Sequence, residues 1–168
     1  MDQKKTTRLV DKMLVTISKT NKIVLQKEIG SGGWGSVFDI GNDLVLKEAS
    51  YQYSFYSGIT QKRIKALINH SFPCIVKIYD AKFQQYQFCC LMEKLKPLNK
   101  TEAKSLDDWF CGNVKPTHVK VKKLLSEMKK FGIKHHDDHS DNFMKDKFGN
   151  IKMVDPEAIS ITKPKKKK

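Results

Sequence analysis

The chain has 168 residues, with 32 Lys or Arg against 18 Asp or Glu for a formal charge of +14, and is 39% hydrophobic and 30% charged. That length suits one domain with a buried core, and the composition excludes a disordered chain. No apolar run approaches the roughly 18 residues of a membrane span, and no signal-type opening is seen, so a cytoplasmic protein with no membrane partner is expected.

The charge favours acidic partners such as nucleotides, nucleic acid or acidic protein patches, with a solvated basic surface as the plainer reading. Cys74, Cys89, Cys90 and Cys111 form no C-x-x-C pair. They read as reduced, mostly buried thiols.

Residues 1–22 carry Leu9, Val10, Met13, Leu14 and Ile17 at three- and four-residue steps, which predicts an amphipathic helix. Ile23 to Ile29 reads as a strand that runs into GSGGWGSVF. Val37 to Ile40 reads as a second strand, Gly41-Asn42-Asp43 as a tight hairpin turn, and Leu44 to Leu46 as a third strand ending at Lys47. The glycines Gly30, Gly32 and Gly35 fit G-x-G-x-x-G. In a dinucleotide-binding fold that motif opens a helix. Here β-branched residues and a hairpin turn follow it, so an antiparallel meander is expected instead.

A helix is expected within residues 51–69, centred on Gln61 to Ile68, then strands over Cys74 to Tyr79 and Tyr86 to Met92. Pro97 should end that run. Thr101 to Phe110, which includes Ser105 and the acidic pair Asp107 and Asp108, should be helical up to Gly112-Asn113. From Thr117 a longer helix presents Val121, Leu124, Leu125, Met128 and Phe131 on one face and lysines on the rest, and Gly132 stops it.

The stretch from His135 to Glu157, HHDDHSDNFMKDKFGNIKMVDPE, holds three histidines, five aspartates and two asparagines ahead of and around an apolar run. Such a composition suits either a transition-metal site or phosphoryl transfer. His135, His136 and His139 are of suitable ligand type for zinc or iron. Gly132 and the Asp/Ser cluster argue for a loop there, however, and the metal reading leaves the upstream glycines and Lys47 unexplained.

From about Ile23 to Glu157 the chain resembles the protein-kinase superfamily. The catalytic loop of that family, H-R-D-L-x-x-x-N, sets His and Asn seven residues apart. His135 and Asn142 are seven apart, with Asp137 in the Asp position. Asp155 follows Asn142 by 13 residues, in the place of the D-F-G aspartate. The run D-x-H-S-x-N with Asp-Pro at the D-F-G site is similar to early-gene kinases of tailed bacteriophages, with short effector kinases of bacterial pathogens as a second comparison.

The resemblance implies an α+β, kinase-like fold: an antiparallel N-lobe sheet with one helix and a truncated, mainly helical C-lobe. It divides the chain into an N-terminal helical extension (1–22), an N-lobe and hinge (23–95), a C-lobe with the catalytic loop (96–160) and a basic tail (161–168). It implies ATP and Mg²⁺, with Asp137 as the base and Lys47 on the α- and β-phosphates. Gly30, Ser31, Gly32, Gly33, Trp34, Gly35 and Val37 would cover the nucleotide, and Glu93 and Leu95 would meet the adenine. Asn142 and Asp155 would hold the metal.

The sequence departs from the family pattern in several places. Gln61 stands where the αC glutamate is expected, Pro156 replaces the D-F-G phenylalanine, and only 13 residues follow Asp155. His139 resembles the small-molecule phosphotransferases such as aminoglycoside kinases. Transfer to Ser/Thr hydroxyls of a host or acidic protein is therefore the expected function. A small-molecule phosphotransferase, a nucleotide-binding pseudokinase and a basic nucleic-acid binder remain as rivals.

Overall fold

The computed structural model describes residues 27–32, 35–50, 57–84, 87–112 and 114–162. It divides into two compact units. One holds the described residues up to His70 with Lys77–Lys94, and the other holds Ser71–Val76 with those from Leu95 onward. The proposed helix over 1–22, the start of the first strand, Gly33, Trp34 and the lysine tail lie outside the described residues.

The first unit is a five-stranded antiparallel sheet with one helix. Its strands are β1 (Lys27–Gly32), β2 (Gly35–Gly41), β3 (Leu44–Ser50), β4 (Ile78–Gln84) and β5 (Gln87–Glu93), in the order β1-β2-β3-β5-β4. The glycine-rich segment joins two antiparallel strands, as expected, and Gly32 pairs with Gly35 at the end of that hairpin. Asn42 and Asp43 take φ of 54° and 58° between β2 and β3. Asn and Asp tolerate this left-handed backbone, which matches the right-handed twist of the flanking strands.

Helix α1 (Ser57–Asn69) lies against β4 and buries Ile64 and Leu67, three residues apart on one face. Leu46, Leu91 and Cys90 of β3 and β5 are almost wholly enclosed. Each buried Leu or Ile contributes about 1.5–3 kcal/mol, so this double layer is the main source of the unit's stability.

Several strand boundaries differ from the sequence reading, and two of the differences have a packing cause. Lys47 does not end its strand: β3 continues to Ser50, because it pairs with β2 on one side and along its whole length with β5 on the other. The apolar run Cys74 to Tyr79 is not one strand either. Ile75 bridges to Met153 in the second unit, whereas Ile78 begins β4 in the first. An apolar run reports burial, and here two different cores share it.

The second unit contains α2 (Lys100–Phe110) and α3 (Val119–Phe131), which touch one another. Asn99 caps α2 in a full capping box: its side chain accepts from Glu102 N–H, and Glu102 accepts from Asn99 N–H. Val121, Leu124 and Met128 bury the apolar face of α3. Gly132 ends α3 at φ 64°, where an added Cβ would sit 2.1 Å from Thr162 O, so both conformation and close approach require glycine.

This unit is less purely helical than the resemblance implied. Strands β6 (Lys96–Pro97), β8 (Phe143–Lys145) and β9 (Ile151–Met153) form one small sheet, and β7 (Ile133–His135) pairs with β10 (Ile159–Ile161) in another. Pro97 therefore belongs to an edge strand instead of ending a run. It can do so because an edge position leaves one side of the backbone without a ladder.

Two buried carboxylates brace this unit. Glu102 pairs with Lys145 at 2.7 Å and with Lys120 at 3.6 Å. Asp146, in the β8–β9 turn, accepts from Phe148 N–H and Asn150 N–H, each at 2.9 Å. Burial by itself would raise both pKa values, but hydrogen bonds from Lys145 and Asn99 to Glu102, and from Asn150 and Phe148 to Asp146, outweigh it and lower them.

A carboxyl that titrates lower when folded stabilises the fold above its ordinary pKa and loses that contribution as pH falls through the folded value. The urea midpoint is therefore expected to fall steeply below about pH 4, beyond the shallower decline below about pH 6.5 that the buried His135, with its lowered pKa, contributes. Glu102→Gln should flatten that drop. A midpoint in Glu102→Gln that falls as steeply as wild type would refute the assignment.

Candidate active site

The loop from His135 to Asn142 is folded about one carbonyl. Asp137 O accepts from His135 Nδ1 at 2.8 Å, from His139 N–H at 2.9 Å and from the Asn142 amide Nδ2 at 2.9 Å. His135 is buried against the Phe143 ring, 5.4 Å between centroids, and burial pushes its pKa down; the same Nδ1 also lies 3.2 Å from Asp137 N. Its bracing of the loop backbone is structural. His136 likewise contacts Ser160 Oγ at 2.7 Å, and His139 Nδ1 accepts from Asp141 N–H at 3.3 Å at the start of a 3₁₀ turn, Ser140–Asn142.

With its main chain so held, Asp137 leaves its carboxylate exposed to solvent. The carboxylate makes no hydrogen bond or ion pair with the described residues. The Asn142 amide, having given Nδ2 to Asp137 O, keeps Oδ1 as an acceptor. Asp155 is brought near by the β8–β9 hairpin. Phe143 pairs with Met153, and the next bond beyond that pair is Val154 N–H to Asn142 O at 3.0 Å. Thirteen residues of sequence thus close into neighbours at one end of a hairpin.

An amide oxygen and one carboxylate are hard donors of the kind Mg²⁺ takes. They suit an ion that keeps several waters and bonds to substrate phosphates rather than sitting in an all-protein cage. Among the described residues no group of three or more His, Cys, Asp or Glu could hold a metal ion.

One positioning residue was not legible beforehand. Asp107, in the last turn of α2, accepts from Ser140 N–H at 3.2 Å and Ser140 Oγ at 3.0 Å and so anchors the 3₁₀ turn that carries Asn142. A signal for it does exist in the sequence. Asp107 and Asp108 stand at a helix C-terminus, where the dipole disfavours negative charge, so a tertiary partner is needed to account for at least one of them.

In the first unit, Lys47 lies mid-strand with Val37 and Cys90 as its neighbours across β2 and β5, and it is only 4% exposed. An ammonium so buried demands polar or anionic company. Gly30 pairs with Val37 and Ser31 with Ser36. Gly35, at φ 137°, passes so close to β3 that an added Cβ would meet Glu48 O at 2.0 Å, so this glycine serves sheet packing whatever else it does.

Glu93 closes β5 in a two-way bond with Lys77. Its N–H donates to Lys77 O at 3.0 Å and its Oε1 accepts from Lys77 N–H at 2.7 Å. Leu95 belongs to the second unit, and Gln61 sits half-buried in α1.

Burial pushes the Cys74 thiol up to about 11 and the Cys89 thiol up to about 12, whereas Cys111 is exposed. No helix among the described residues is long and apolar enough to cross a membrane.

No known family model and no curated protein matches this chain. The chemistry must be read from the residues themselves.

Proposed function

We propose that this chain is a small, protein-kinase-like enzyme that transfers the γ-phosphoryl group of ATP to Ser/Thr hydroxyls of a protein. The observation that carries this reading is the Asp137 carbonyl. By gathering His135, His139 and Asn142, it holds one carboxylate out to solvent and one amide oxygen beside the strand that leads to Asp155. One ring nitrogen of each histidine meets the loop's own backbone or Ser160, and the described residues hold no group of three or more His, Cys, Asp or Glu that could bind a metal ion.

In this reading the Asp137 carboxylate accepts the proton of the acceptor hydroxyl as that oxygen bonds to the γ-phosphorus. The bond from the γ-phosphorus to the bridging oxygen breaks, and ADP leaves. Asn142 Oδ1 and the Asp155 carboxylate would hold Mg²⁺, which when bound neutralises charge on the phosphates. The Lys47 ammonium engages the α- and β-phosphates, and main-chain N–H groups of the glycine hairpin supply further donors. The antiparallel sheet with one helix is the arrangement the family resemblance implies for such a nucleotide-binding unit.

The test is an ATP assay on wild type and Lys47→Ala side by side, with a generic protein and an aminoglycoside as acceptors. Wild type is expected to show a Mg²⁺-dependent thermal shift with ATP and to label itself or the protein acceptor. Lys47→Ala should lose both responses. Absence of any ATP-dependent shift in wild type, with or without Mg²⁺, would overturn the reading.

A further inference from the structure

The ribbon of β10 and β7 carries a serine that the phosphoryl-transfer machinery does not use. Along β7, His135 is buried, whereas Lys134 and the following His136 are exposed. Across the ladder Ile159 is 1% exposed, and Ser160 lies half-buried on the outer face. Lys134 is the direct cross-strand partner of Ser160, a placement that sets two Cβ atoms about 5 Å apart. Ser160 Oγ lies 2.7 Å from His136 Nε2. The Lys134 ammonium makes no hydrogen bond or ion pair with the described residues. A hydroxyl thus stands between an imidazole and an uncommitted cation.

That setting suits a phosphoryl acceptor. Strand β10 pairs with β7 alone, so its backbone is extended and its other edge faces no strand among the described residues. Other hydroxyls of this unit are placed less well. Thr101 and Ser126 are exposed too, but they sit within α2 and α3, where the backbone is coiled. Ser105 and Ser140 are buried. Thr162 is exposed, but its Oγ1 donates to Gly132 O at 2.9 Å. A phosphate on Ser160 would carry a charge of about −1.5 to −2 and would stand between two donors, Lys134 Nζ and His136 Nε2.

We infer that Ser160 is this chain's own acceptor site, phosphorylated by a second copy of the chain; the site rests on the phosphoryl transfer proposed above. Ser160 Oγ bonds to the γ-phosphorus as the bond from that phosphorus to the bridging oxygen of ATP breaks. ADP leaves, and the hydroxyl proton passes to Asp137 of the copy that holds the nucleotide. A second copy is required because Ser160 is pinned on both sides. Ile159 is buried, and Thr162 bonds to Gly132 O through its N–H at 2.8 Å as well as through Oγ1. A residue so held keeps its hydroxyl against His136 and does not swing into line with a nucleotide bound by its own chain.

The test is incubation of the full chain with ATP and Mg²⁺ beside a generic protein acceptor, followed by mapping of the phosphate by mass spectrometry. Ser160 is expected to be the chief site on the chain itself. Ser160→Ala should lose most of that self-labelling and keep both the ATP-dependent thermal shift and the labelling of the generic protein. In a mixture, wild type should label Ser160 of an isotopically heavy Asp137→Ala chain. Self-labelling that is absent from wild type, mapped to another residue or undiminished in Ser160→Ala would overturn the site, and so would a heavy chain left unlabelled. In each of those cases labelling of the generic protein leaves phosphoryl transfer itself standing. Label on neither protein would overturn both.

Discussion

Asp137→Ala is expected to cut phosphoryl transfer by a factor of about 10²–10⁴, the usual contribution of a positioned general base. Binding of ATP, read by thermal shift, should be unchanged. The loop should survive the substitution, because His135, His139 and Asn142 all bond to the main-chain oxygen of residue 137, which alanine retains. The lost side chain is exposed and unbonded to the described residues, so stability should stay within about 0.5 kcal/mol of wild type. Rate would fall while nucleotide affinity stays level, which separates loss of a group acting in the transition state from loss of binding. Labelling by Asp137→Ala at the wild-type rate would remove this residue as the base.

The largest expected loss of stability lies elsewhere, at Glu102. Its side chain is 2% exposed, bonded to Lys145 at 2.7 Å, and also closes the capping box of α2 with Asn99. Glu102→Ala removes one member of a buried pair and one half of the cap. Breaking such a pair costs about 3–5 kcal/mol because the partner charge is stranded. Lys145 is 19% exposed and can turn partly to water, so the lower end applies, about 3 kcal/mol. For a chain of 168 residues this corresponds to a Tm lowered by about 6–12 °C. Adding Lys145→Ala should recover part of the loss, since no charge is then stranded. Equal stability of Glu102→Ala and wild type would show that the pair and cap contribute nothing net.

The readable parts of the site were those whose chemistry depends on residue type and short spacing. His135, Asp137 and Asn142 fall within one loop, and the tight turn at Asn42-Asp43 and the stop at Gly132 were likewise visible as local backbone demands. Lys47 was picked out, but its place was not: a lysine after an apolar run reads as a strand end, and only pairing along the whole of β5 carries the strand on to Ser50. The run from Cys74 to Tyr79 looked continuous because hydrophobicity records burial without saying in which core. Asp107 was seen only as half of an acidic pair, although its unfavourable place at a helix end was a usable hint.

By itself, then, the sequence determined the α+β class, the antiparallel glycine hairpin, the three helices now described and the candidate residues, since propensity, turn chemistry and periodicity are local properties. Tertiary structure decided what those residues touch. Pairing of β8 with β9 brought Asp155 up to Asn142, pairing of β10 with β7 returned the chain to the start of the loop, and Asp107 reached across 33 residues to hold Ser140. These contacts come from side chains and strands far apart in the chain, whose meeting is set by which surfaces bury together, and no local pattern encodes that.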